Sequence, residues 1–155
     1  MDLSEIIIRL GAATLIGAVI GLNRDLHGKP TGIRTLGVVG LASALVVMAA
    51  NDFSFSGTTR LDATSRVIQG LITGIGFLGA GVIMRDNTEH TRIHGLTTAA
   101  CIWLTACMGV VCAIGAWKGA LVALALVFIV LIVGGPLEKA IHRRWRDDKD
   151  DHKGT

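Results

Sequence analysis

Five apolar runs alternate with short polar connections along the chain, over about residues 6–22, 33–50, 67–84, 96–116 and 119–137. A helix rises about 1.5 Å per residue and a hydrocarbon core is about 30 Å thick, so each run is long enough to cross a bilayer. The pattern predicts an all-α integral membrane protein, a bundle of about five transmembrane helices in a domain spanning 1–137. A charged tail follows over 138–155.

The third run, VIQGLITGIGFLGAGVIM from Val67 to Met84, carries no charge and is bounded by Arg66 and Arg85. It holds five glycines, Gly70, Gly74, Gly76, Gly79 and Gly81. At helical spacing Gly70, Gly74 and Gly81 share a face with Phe77, while Gly76 and Gly79 fall nearly opposite. Helices in a membrane associate by packing at small residues, because lipid offers no hydrophobic gain for their contact. The run therefore reads as the central helix of the bundle, open to close approach from two sides. The competing reading is a broken helix whose freed backbone groups line a polar site.

The first run repeats Ala13, Gly17 and Gly21 every four residues, a small-xxx-small packing pattern. Arg9, within about a turn of its start, is expected to snorkel to the headgroups. Asn23 to Thr35 reads as a compact polar loop with Pro30 and two glycines as turn signals. A candidate polar cluster gathers there: Asn23, Arg24, Asp25, Arg34 and Thr35. Arg34 shares a face with Gly37 and is expected to reach phosphate or to pair with Asp25. Asp62 and Arg66, four apart, are expected to pair at the start of the third run. The fourth and fifth runs, separated by little more than Trp117 and Lys118, predict a tight antiparallel hairpin with Trp117 at an interface. Pro136 should loosen or end the last helix.

With 155 residues, 51% of them hydrophobic, and a mean hydropathy of +0.58, the composition excludes an ordinary soluble domain. The acidic start, MDLSE, is unlike a secretory signal, and no cleavage is expected. Three cysteines, Cys101, Cys107 and Cys112, lie within one run and act as small apolar residues. The net charge of +3 comes from clusters beside the runs. Arg24, Lys29, Arg34, Arg85, Arg92 and six basic tail residues fall on one side of a five-span arrangement, against Arg9, Arg60, Arg66 and Lys118 on the other. Positive-inside then puts the N-terminus outside and the C-terminus in the cytoplasm. The basic first half of the tail suits anionic lipid headgroups, and its acidic second half speaks against nucleic acid.

In the fourth run, His94, Thr98, Cys101, Thr105, Met108 and Cys112 lie within about 80° on a helical wheel. Thr98, Cys101 and Thr105 form a candidate polar stripe that could line a soft-cation path. The plainer alternative is that these small residues pack and satisfy their hydroxyls on the preceding turn. His90 and His94 have a spacing that zinc could use, but they sit in a turn and outside the HExxH pattern, so no metal site is expected. The apolar runs contain no Asp or Glu, which leaves no intramembrane carboxylate site for a transported cation unless loop residues such as Asp25 fold inward. No nucleotide loop or nucleophile arrangement is readable; neither an enzyme nor a cofactor is expected.

Three stretches together resemble the MgtC/SapB family of bacterial inner-membrane proteins: Gly17 to Thr35 (GAVIGLNRDLHGKPTGIRT), Gly70 to Arg85 (GLITGIGFLGAGVIMR) and His94 to Val110 (HGLTTAACIWLTACMGV). They correspond in order to the family's GLER-type turn with its GxRT ending, its GFLGAG helix and its GLTTAAxxW helix. This chain departs from the pattern at Asn23, where the family carries an acidic residue, and at Leu36, where it carries a histidine; Asp25 is the next acidic position. These departures weaken a proton-linked or cation-binding role for the turn. The tail of about twenty residues suggests a short form with the transmembrane domain only, without the ACT-like domain of some members.

The resemblance implies a multi-pass protein of the bacterial inner membrane with a role in adaptation to low magnesium and, in pathogens, in intracellular survival. It also implies regulation by contact, since the family's best-known member inhibits the F-type ATP synthase and the family is generally not regarded as a set of transporters. The leading expectation is thus a membrane regulator that works by helix contact with itself or with another membrane protein. A small oligomeric carrier or channel for a cation or other solute is the alternative. A lipid-binding structural protein held by its basic tail is a third reading.

Overall fold

The computed structural model describes the backbone of residues 1–52, 57–85 and 95–151, and the side chains of 1–51, 62–83 and 95–137. Among the described residues there are five helices and no strand: α1 (Leu3–Leu26), α2 (Ile33–Asp52), α3 (Gly57–Arg85), α4 (Leu96–Ala113) and α5 (Trp117–Asp151). Each contains a stretch long and apolar enough to span a membrane: Leu3–Leu26, Ile33–Asn51, Asp62–Ile83, Leu96–Ala113 and Trp117–Leu137. The chain divides into two compact units, Met1–Ala120 and Leu121–Thr155.

In the first unit, α1, α2 and α4 come together where side chains are smallest. A Cβ added at Gly17 would strike the Leu36 carbonyl and stand 3.1 Å from Thr105 Cγ2; one at Gly21 would lie 2.6 Å from Ile33 Cα. At Gly109 it would lie 2.5 Å from the Gly40 carbonyl oxygen and 2.7 Å from Ser43 Cβ. These approaches let the three backbones nearly touch, which is how helices gain dispersion energy where lipid supplies no hydrophobic driving force. Ile20, Leu36, Val47 and Met108 fill the space beside the seam. The contacts make α1 antiparallel to both α2 and α4.

Within this first unit the helix in the middle is α4, not α3. α4 packs against α1, α2 and α3, whereas α3 buries only Ile75 and Gly79 among its described residues. The reason lies in side-chain size: Thr98, Cys101, Thr105, Ala106, Gly109 and Cys112 keep α4 slim enough for three neighbours. α3 is continuous from Gly57 to Arg85, which removes the broken-helix reading.

Two boundaries differ from the sequence expectation in an instructive way. α1 runs on through Asn23 to Leu26, so the predicted loop shrinks to His27–Gly32. It ends in a left-handed cap at Gly28 (φ 62°), with Gly28 N–H bonded to the Asp25 carbonyl at 3.0 Å and Lys29 N–H to the Arg24 carbonyl at 3.0 Å. The same cap closes α4, where Gly115 (φ 76°) donates to Cys112 O at 3.0 Å and Ala116 to Val111 O at 3.1 Å. α5, taken by itself, passes through Pro136 without ending there. Good helix formers follow the proline, and a single lost backbone bond does not stop them.

Candidate functional site

The sequence placed Arg24 in a surface loop, but the last turn of α1 carries it into the interior, where it is only 4% exposed. Its guanidinium joins three parts of the fold. Nε donates to the Pro30 carbonyl at 3.2 Å, Nη1 to Cys101 Sγ at 3.5 Å, and Nη2 to Thr98 Oγ1. The candidate polar cluster and the candidate polar stripe therefore meet through this residue. All three acceptors are neutral. Taking a lone cation out of water costs several kcal/mol, which hydrogen bonds of about 1.5–3 kcal/mol each to a charged group largely offset.

Its neighbour Asp25 points the other way, and its Oδ2 accepts the Ile33 N–H at 2.9 Å. It thus caps α2 from the end of α1, favoured by the positive pole of the α2 dipole. A side chain at Gly32 would collide with this carboxylate. The expected Asp25–Arg34 pair does not form, because the carboxylate already serves the helix end; Arg34 and Thr35 lie exposed. Asn23 is partly exposed, and its carbonyl takes a hydrogen bond with His27 Nδ1 at 2.7 Å.

Along the stripe, Thr105 Oγ1 donates back to the Cys101 carbonyl at 2.8 Å, and Cys101, Met108 and Cys112 are buried. His90 and His94 lie outside the described residues. Asp62 and Arg66 are both exposed, and among the described residues they form no ion pair with each other.

At the opposite end of the bundle Arg9 meets protein groups. It pairs with Glu5 and donates to the Ala113 carbonyl at the last turn of α4. The favourable partner is that carbonyl: a cation at a helix C-terminus satisfies an orphan oxygen and meets the negative pole of the dipole. α1 consequently grips α4 with an arginine at each end. Periodicity could not reveal Arg9's partner 104 residues away. Gly40 and Gly109, also missed, carried a usable signal in their small neighbours.

The candidate packing glycines separate into two sets. Gly17 and Gly21 lie in the α1–α2 contact, and a Cβ at Gly79 would meet the Ala99 side chain at 3.4 Å. Among the described residues, no atom lies within 4 Å of such a Cβ at Gly70, Gly74, Gly76 or Gly81. Within Met1–Ala120, then, most of the glycine of α3 is left open.

The sequence has recognisable relatives. The family model described as MgtC family matches residues 10–140. The chain belongs to the MgtC family. It is 43% identical to Protein SrpB of Synechococcus elongatus, over 79% of this chain and 71% of that protein. It is 39% identical to Protein MgtC of Salmonella typhimurium, over 82% of this chain and 51% of the relative. Against YhiD of Escherichia coli, described as a candidate magnesium transporter, it is 37% identical over 84% of this chain and 60% of that one. The chain thus spans only about half the length of the MgtC relative it matches. No solved structure matches it. The MgtC family match and the five apolar helices make this a multi-pass membrane protein of the magnesium-related MgtC family.

Proposed function

We propose that this MgtC-family protein is a non-enzymatic membrane regulator in adaptation to low magnesium, acting by helix contact with membrane-embedded partners and not by carrying an ion. The observation that carries the reading is the division of polar and small residues between inside and outside. Along the stripe of α4 the hydroxyls are closed on protein groups: Thr98 is taken by Arg24 and Thr105 by the Cys101 carbonyl. Within Met1–Ala120 the backbone left open is that of α3, at Gly70, Gly74, Gly76 and Gly81. A path for a cation needs polar groups free to replace water, whereas a contact surface needs backbone that another helix can approach.

The family resemblance supplies one partner of the right kind, the membrane sector of the F-type ATP synthase. The test is complementation of a strain lacking this chain, grown under magnesium limitation, with ATP hydrolysis measured in its membranes. The reading predicts that the intact chain restores growth and lowers hydrolysis, and that Gly74→Leu, although folded and inserted, does neither. Full complementation by Gly74→Leu would overturn it.

A further inference from the structure

We infer that the peptide between Pro30 and Thr31 is a two-position latch, held by Arg24 in its strained position, which couples the α1–α2 turn to the first turns of α4. The inference goes beyond the contact reading and does not depend on it.

Thr31 has φ 63°, and among the described residues it is the one position outside glycine with a positive φ. The left-handed region brings Cβ close to the following carbonyl, and a β-branched residue tolerates this poorly. Glycine or asparagine would take the position freely. The neighbouring glycine is fixed by another need, since a Cβ at Gly32 would collide with the Asp25 carboxylate.

What holds Thr31 is the other half of the same peptide plane. The peptide is rigid, so the direction of the Pro30 carbonyl and the sign of φ at Thr31 turn together. The proline ring fixes the φ of Pro30, which leaves its ψ and the φ of Thr31 as the rotations that flip the plane. Turns of type I and type II with proline in the first central position differ by this flip. In the observed position the Pro30 carbonyl accepts from Arg24 Nε at 3.2 Å and from the Thr31 hydroxyl at 2.6 Å. Arg24 is buried, so its guanidinium cannot give up an acceptor without loss. Flipping the plane relaxes Thr31 and takes that acceptor from Nε. The two costs oppose each other, which gives the turn two positions.

The latch reaches α4 because one planar guanidinium makes all three contacts. Nη1 and Nη2 hold Cys101 Sγ and Thr98 Oγ1, in directions fixed relative to Nε. A swing of the Pro30 carbonyl therefore disturbs the hold on Thr98 and Cys101, and a shift of α4 acts back on the turn. The bonds from Gly28 N–H and Lys29 N–H to the last turn of α1 lie before the flipping plane, and the Asp25 cap on Ile33 lies after it. These fix the ends of the turn in both positions.

The test reads the sign of φ at Thr31 by nuclear magnetic resonance, on the full-length chain in mild detergent with its threonines labelled. A positive φ brings a residue's amide proton close to its own Hα, so the Overhauser contact between them is strong. The expected result is a strong contact in the unaltered chain and one severalfold weaker in Arg24→Met, which stays unbranched but has no donor. Arg24→Gln, shorter and uncharged, is a second variant should the first fail to fold. In thermal melts, Thr31→Gly should raise the melting temperature of the otherwise unaltered chain by about 2–4 °C. The same change should not raise that of Arg24→Met, where the strain is already relieved.

A positive φ retained at Thr31 in either folded Arg24 variant overturns the inference. So does a melting temperature that Thr31→Gly fails to raise, or raises equally with and without Arg24. The unaltered chain and Thr31→Gly decide it even where neither Arg24 variant folds. Magnesium-limited growth has no part in these measurements, so the latch and the contact reading can fail separately.

Discussion

Arg24, near the end of α1, donates to the Thr98 hydroxyl in the first turn of α4, across 74 residues of chain. With Pro30 and Cys101 as its further acceptors, it ties the α1–α2 turn to the most buried helix of the fold.

Arg24→Ala removes three charge-assisted bonds and leaves Thr98 buried without a partner. The expected loss is about 2–4 kcal/mol, read as a lowered melting temperature of the purified protein in mild detergent. Arg24→Lys should recover only part of it, because an ammonium cannot reach three acceptors set around a planar fork. A double-mutant cycle of Arg24→Ala with Thr98→Val should show strong coupling, with the pair losing less than the sum of the singles.

Asp25 caps α2 from outside the helix. Asp25→Ala should cost about 1 kcal/mol by removing the acceptor for the Ile33 N–H. Gly32→Ala should cost more than that, since its methyl group meets the same carboxylate. Thermal melts of both variants check the order.

Gly109→Ala puts a methyl group 2.5 Å from the Gly40 carbonyl oxygen, whereas Gly76→Ala puts one into open space. The first should destabilise the fold by about 1–3 kcal/mol through overpacking; the second should be neutral or slightly stabilising. Comparable effects from both would show that the seam of α1, α2 and α4 is not where the bundle is held.

Gly74 and Gly79, five residues apart on one helix, should respond to leucine in different ways. Gly79→Leu strikes Ala99 and should lower stability of the single chain, while Gly74→Leu should leave the melt unchanged and abolish complementation. Melting and complementation, measured side by side, separate the two roles.

What could be read from sequence was set by how local its cause is. The five spans follow from apolar runs, and the positions of α2 and the start of α4 agree with them closely. The end of α1 does not, because Asn23, Arg24 and Asp25 are polar and stay helical through the cap at Gly28 and the burial of Arg24. Glycine on both faces of α3 revealed two surfaces but not which was inside; that depended on the slimness of α4, a property of a different segment. Arg24 and the stripe were each legible as polar positions, yet their union required the antiparallel pairing of α1 and α4, and Asp25, Arg34 and Thr35 do not join it.

The central claim is that the protein works by being touched and not by conducting, and ion flux tests it most directly. Purified chain, shown to be folded and inserted in proteoliposomes, should pass no magnesium, potassium or protons above protein-free vesicles. Saturable flux of any of the three, abolished by Arg34→Ala, would contradict the account and make the turn between α1 and α2 the mouth of a carrier.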